Sequence, residues 1–225
     1  MQTDALIEML VADADPVQPL AAPWRRLVWW LALSVASVLL VIGLMSPNPA
    51  RIAGIRALRF WLEQAAAFTT AIAAAAAALT SVVPGRSRRV WWLPVLPLVV
   101  WIGTLASGCL RDWMRRGSAG LIIHSDWPCV VAMLLSAVLP SIALAIMLRR
   151  GAPLMPRATA AFAGLAAGGF GSLTACLSRP SPHGTTATVL VWHLGVVLIM
   201  AGAGAWAGRY LRDWPLLPAV ARRMP

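Results

Sequence analysis

The chain has 225 residues, of which 60% are hydrophobic and 12% charged, with a mean hydropathy of +0.75. Soluble domains carry about a quarter charged residues, so this composition excludes an ordinary soluble domain and points to a polytopic membrane protein. The net charge of +11 comes wholly from arginine. Arginine clusters between apolar segments, a pattern that sets membrane topology and argues against direct nucleic-acid binding.

Residues 1–26 are the one sizeable polar segment before the apolar runs. Asp4 is positioned to cap a short helix in which Leu6, Ile7, Leu10 and Val11 recur at near-helical spacing. Asp4, Glu8, Asp13 and Asp15 make the piece acidic, and Pro16, Pro19 and Pro23 turn its second half into a linker. The start has neither the basic region nor the small-residue cleavage site of a signal peptide, so this N-terminus is expected to be retained. Such a stretch either lies solvated at a surface or docks a partner by its apolar stripe. Acidity disfavours anionic lipid and favours a groove with a basic rim.

Six apolar segments follow, at 27–45, 60–83, 91–109, 130–148, 158–176 and 188–207. Each is close to the ~20 residues that a helix needs to cross a bilayer. Trp29, Trp30, Trp61, Trp91, Trp92, Trp127, Trp192 and Trp206 fall near segment ends, as an interfacial aromatic belt would have them. The expected fold is all-α: a bundle of six transmembrane helices over 27–208, an N-terminal partner-binding segment over 1–26 and a C-terminal tail over 209–225.

Counting arginines orients it. With the N-terminus inside, twelve arginines fall inside and seven outside, which favours both termini in the cytoplasm of a bacterial inner membrane. Residues 51–60 read as a short amphipathic helix at the outer surface. Ala160, Gly164, Gly168 and Ser172 recur every four residues, and Gly204 and Gly208 do the same. Small residues at that spacing let helix backbones approach closely, within the chain or in a homo-oligomer.

The spans hold almost no ionisable groups, and no nucleotide, hydrolase or metalloprotease motif is present. An enzyme is therefore not expected. The three cysteines include no CxxC pair, which argues against a zinc ribbon or a thiol oxidoreductase. A hairpin with Arg149, Arg150 and Arg157 at its turn carries Cys129 and Cys176 at its other end. In the same orientation Cys109, His124 and His183 also fall at the outer face, and His193 lies one to two turns into the last helix. Cys129, Cys176, His183 and His193 are the candidate ligands for a transition-metal or heavy-metal ion. Cysteine as a small apolar filler is the competing reading.

In order and spacing, these features resemble the bacterial membrane anti-sigma factors called negative regulators of sigma F. The resemblance rests on the N-terminal TDALIEMLVADADPV, Pro128-Cys129, the turn Leu148-Arg149-Arg150-Gly151-Ala152-Pro153, the Ala/Gly-rich helix ending at Cys176, and Val191-Trp192-His193. It implies that the chain holds an extracytoplasmic-function sigma factor at the inner membrane and releases it under oxidative or heavy-metal stress. It also implies that Cys129 and Cys176 are the sensor thiols, with Cys109 outside the pair and kept as a further candidate thiol. Asp4, Leu6, Ile7, Glu8, Leu10 and Val11 are then the sigma-binding residues. A small metal or solute transporter is the alternative, opposed by the lack of polar groups at membrane depth.

Overall fold

Pro23 opens the first long helix, where its missing N–H is one that a helix start leaves unpaired anyway. The computed structural model describes residues 3–12, 20–45, 58–83, 85, 88–151, 153–178 and 185–211. A short helix α1 (Thr3–Ala12) is followed by α2 (Pro23–Leu44), α3 (Leu58–Ser81), α4 (Val95–Arg116), α5 (Trp127–Arg149) and α6 (Pro156–Ser178). The last rod is built from α7 (Thr186–Val189), a wide π-turn (Leu190–Leu194) and α8 (Gly195–Ala207). There is no strand among the described residues.

The long rods alternate in direction. Ser81 meets Thr159 at 2.8 Å, Gly168 lies against Val197, and Gly208 lies against Pro156. One end of the bundle therefore carries the 149–157 turn with its arginines, together with Pro23 and Tyr210. The other carries Cys109, Cys129 and the end of α6 that bears Cys176.

Among the described residues, five helices are long and apolar enough to cross a membrane: Pro23–Leu44, Leu58–Ser81, Arg89–Leu121, Trp127–Arg149 and Thr186–Tyr210. The expectation was six, and α6, which runs between the same two ends of the bundle, falls outside this set of candidates. Its four glycines, Arg157 and several Ser and Thr residues lower its hydropathy. Packing explains how it tolerates them. Every residue from 165 to 174 is buried, and α6 packs against α2, α3, α5 and α8. The central helix meets protein on all sides, whereas α4 buries only a narrow stripe of Trp101, Leu105 and Gly108. The large exposed side chains, such as Leu39, Leu96 and Ile199, lie on the outward faces of the flanking rods, as in a lipid-embedded bundle.

The core is aromatic where α2, α3 and α6 meet. Phe170 stands edge-on to Trp30 at 5.2 Å and to Phe68 at 5.6 Å. Polar ties join α2 to α5 with a clear cause. Pro140 lies inside α5 and has no N–H, which removes the helical donor of the Ser136 carbonyl. The Ser37 hydroxyl donates to that carbonyl at 2.9 Å, and Trp30 Nε1 donates to the Pro140 carbonyl at 3.0 Å. Arg26 reaches the Met147 carbonyl one level further along. A buried carbonyl left unpaired costs about 1–3 kcal/mol, so the proline-created gap fixes the register of α2 on α5.

Candidate functional site

At the thiol end, residues 122–126 run as an extended strap between α4 and α5. Three hydrogen bonds hold the strap to the start of the last rod. Thr185 Oγ1 donates to the Ile122 carbonyl at 2.8 Å, the His124 N–H donates to Thr188 Oγ1 at 3.1 Å, and Trp192 Nε1 donates to the His124 carbonyl at 2.9 Å. Thr185 also caps α7 by accepting from the Thr188 N–H, so one hydroxyl serves both helix and strap. The Trp127 and Trp192 rings lie 5.7 Å apart over this junction.

The strap ends at Asp126, which precedes α5 but makes no side-chain cap bond to it. Cys129 follows in the first turn of α5 and is 2% exposed. The π-turn of the last rod carries His193, 3% exposed, and Ser172 Oγ on α6 lies 3.3 Å from its Nδ1. One carboxylate oxygen of Asp126, Cys129 Sγ and one ring nitrogen of His193 all lie within 4.8 Å of one another. Carboxylate, thiol and imidazole are the donor types that bind zinc-like ions, and π-turns recur at functional sites.

Of the metal-ligand set expected from sequence, the structure brings Cys129 and His193 together. His183 lies outside the described residues. Cys176 sits in α6 one helical turn beyond Ser172, and its side chain is outside the described residues. Cys109 is half-buried on α4 and is not part of the cluster; its neighbours are Asp112, Arg59 and Glu63. Sequence reading missed Asp126, which sits just before a Trp-Pro helix start and reads as a helix cap. The signal was the Asp-x-x-Cys spacing over that start.

A second polar group lies at the same end. Arg59 Nε pairs with Glu63 Oε1 at 2.8 Å, and its Nη2 reaches Thr186 Oγ1 at 3.4 Å. Asp112 Oδ2 accepts from the Thr186 N–H at 3.0 Å and from its hydroxyl at 2.6 Å, holding the start of α7. Gly108 makes room for this group, since a Cβ there would fall on the Arg59 guanidinium. Through these charges the structure joins α3, α4 and α7.

A short N-terminal helix forms over Thr3–Ala12, but Asp4, expected as its cap, lies inside the first turn, where its charge still suits the positive end of the helix. Asp4, Glu8, Ile7 and Val11 are exposed, the last two at 53% and 68%. The Leu6 and Leu10 side chains are outside the described residues.

The chain is 31% identical over 220 residues to the anti-sigma-F factor NrsF of Caulobacter vibrioides (strain NA1000 / CB15N), covering 95% of this chain and all of that protein. No solved structure matches it. A family model described as negative regulator of sigma F matches residues 10–214, which takes in α2 to α8, the thiol end and its strap. With that match and a full-length relative, the chain belongs to the negative regulator of sigma F family.

Proposed function

We propose that this protein is an inner-membrane anti-sigma factor that sequesters an extracytoplasmic-function sigma factor and releases it on oxidative or heavy-metal stress. The observation that carries this reading is the full-length match to an anti-sigma-F factor, a regulatory family. The arginine bias supports a cytoplasmic N-terminus and an outward-facing thiol end. Helix α1 then offers an acidic, half-apolar face to a cytosolic partner, with Ile7 and Val11 at its exposed centre.

The mechanism follows from how the ends are joined. Oxidant or metal joins Cys129 to Cys176 and changes how α5 packs on α6. A disulfide needs Cα atoms within about 7 Å, so bonding draws the two helix ends to a fixed separation. Helix α5 is tied to α2 through the carbonyls of Ser136, Pro140 and Met147. Helix α2 is continuous in sequence with the linker that bears α1, so a shift of α5 reaches the sigma-binding face. The signal moves this equilibrium only by its differential affinity for the two packings.

Two tests separate the parts of this reading. In a pull-down from membranes, a sigma factor is expected to co-purify with the full chain and to be lost when residues 1–15 are removed. If none appears with either form, the anti-sigma reading fails and metal uptake by vesicles becomes the next measurement. Replacing both sensor thiols, Cys129→Ser with Cys176→Ser, is expected to leave sigma bound after oxidant or cadmium treatment. Undiminished release from that double variant would overturn the sensor assignment and leave the anti-sigma role standing.

A further inference from the structure

Metal stress and a thiol pair do not by themselves call for a carboxylate, yet the structure sets one beside Cys129. We infer that Asp126, Cys129 and His193 form a binding site for a single divalent zinc-class cation, with Asp126 as its third ligand. The inference rests on reading this end as the sensing end, and is independent of whether α1 binds a sigma factor.

The donor chemistry is the first ground. Thiolate, imidazole and carboxylate are the three side-chain types that zinc takes, at roughly 2.0–2.3 Å. Ligand atoms around a tetrahedral ion with such bonds stand about 3.3–3.8 Å apart. The three atoms already lie within 4.8 Å of one another, so side-chain rotation closes the remaining distance. A carboxylate contributes nothing to disulfide exchange, which runs between sulfurs. Its place beside the thiol supplies a third donor that a cation could use.

Charge is the second ground. Cys129 and His193 are almost wholly buried, and Asp126 is half-buried beside them. A divalent cation would take the thiol as thiolate, releasing its proton on binding, and would offset the charge of both thiolate and carboxylate. The Asp126 side chain makes no cap bond to α5 and lies beside His193 instead.

Construction is the third ground. The ligands come from three elements: the strap, the first turn of α5 and the π-turn. The Thr185, Thr188 and Trp192 bonds hold the strap to the last rod and so set Asp126 against His193. Ser172 on α6 lies against His193 Nδ1 and orients the ring, the outer-shell partner that ligating histidines have. A tetrahedral ion held by these three ligands would have room for one more, such as water or a second thiol.

The test uses the full chain purified in detergent, loaded with Zn2+ and passed through a desalting column, then assayed for metal per chain. Co2+ serves as the spectroscopic stand-in, because thiolate ligation adds an intense near-ultraviolet charge-transfer band. The parent is expected to retain one equivalent of zinc and to show the band with cobalt. Asp126→Asn and His193→Gln are each expected to weaken zinc binding by tenfold or more, and Cys129→Ser to abolish the band. Near-ultraviolet circular dichroism of the twelve tryptophans checks that each variant keeps its tertiary packing. A parent without the cobalt band overturns the inference whatever the variants do, and so do well-packed Asp126→Asn and His193→Gln proteins that hold zinc as tightly as the parent. Sigma co-purification, measured on the same preparations, reports separately: zinc without sigma removes the anti-sigma reading alone, and sigma without zinc removes this site alone.

Discussion

Gly164→Ile and Gly204→Ile are each expected to lower the unfolding midpoint of the detergent-solubilised protein sharply, whereas Gly202→Ile leaves it almost unchanged. All three glycines lie within one helix pair and differ only in what faces them. A Cβ on Gly164 would overlap the Met200 carbonyl oxygen and stand 2.7 Å from its carbon. On Gly204 it would overlap the Ala160 carbonyl oxygen and stand 3.0 Å from that carbon. These obstacles are backbone, so no rotamer change relieves them, and α6 and α8 have to part. Within a bilayer, helix pairs are held by close packing and not by water exclusion, so separation forfeits the contact itself. Overpacking of this kind costs about 1–3 kcal/mol, and a clash with two rigid backbones belongs at the upper end. Gly202 has nothing within 4 Å of its Cβ position and serves as the control. Equal midpoints for all three variants would mean that α6 and α8 do not pack through this seam.

Trp30→Ala is expected to be the most damaging single truncation in the core. Trp30 is fully buried, meets Phe170 edge-on, and donates its indole N–H to the Pro140 carbonyl. Removing so large a buried side chain costs about 3–5 kcal/mol. Trp30→Phe keeps most of the ring contact and gives up the hydrogen bond, worth about 1 kcal/mol. Thermal unfolding in detergent ranks the two. The functional readout goes further, because neither change touches α1. Both variants are expected to retain sigma while Trp30→Phe blunts release on stress, since it loosens α2 from α5. Release as strong as the parent's from a well-folded Trp30→Phe protein would reject the α2–α5 tie as the route.

The apolar segments were legible because bilayer-length runs of Ala, Leu and Val leave little else for the chain to form. Segment 130–148 emerged as Trp127–Arg149 and segment 158–176 as Pro156–Ser178. Errors came where a tertiary partner changes what a polar residue means. The third apolar segment ends at Cys109, where charged residues begin, yet α4 runs on to Arg116. Asp112 is satisfied there by Thr186, 74 residues away, and no local pattern encodes that bond. Helix α6 falls outside the candidate spans among the described residues for the converse reason. An Ala/Gly-rich stretch of that length reads as a span by size, and only the packing reveals that it is ringed by protein. At the candidate site Cys129 and His193 were legible from residue type and end-of-helix position. Asp126 was not, because its approach to His193 depends on the strap and on a π-turn that breaks helical periodicity.

The encirclement of α6 also bears on the order in which the bundle is made. Chains enter the membrane from the N-terminus, so α6 arrives when α2, α3 and α5 are present and α8 is still to come. Its apolarity is modest, and until the last rod arrives the face bearing Gly164 and Gly168 has no partner. The last helix therefore acts as a keystone. Its entry seals the seam along Gly164 and Gly204, and its π-turn delivers His193 to Cys129, so closing the bundle and completing the thiol end are one event in the protein's assembly.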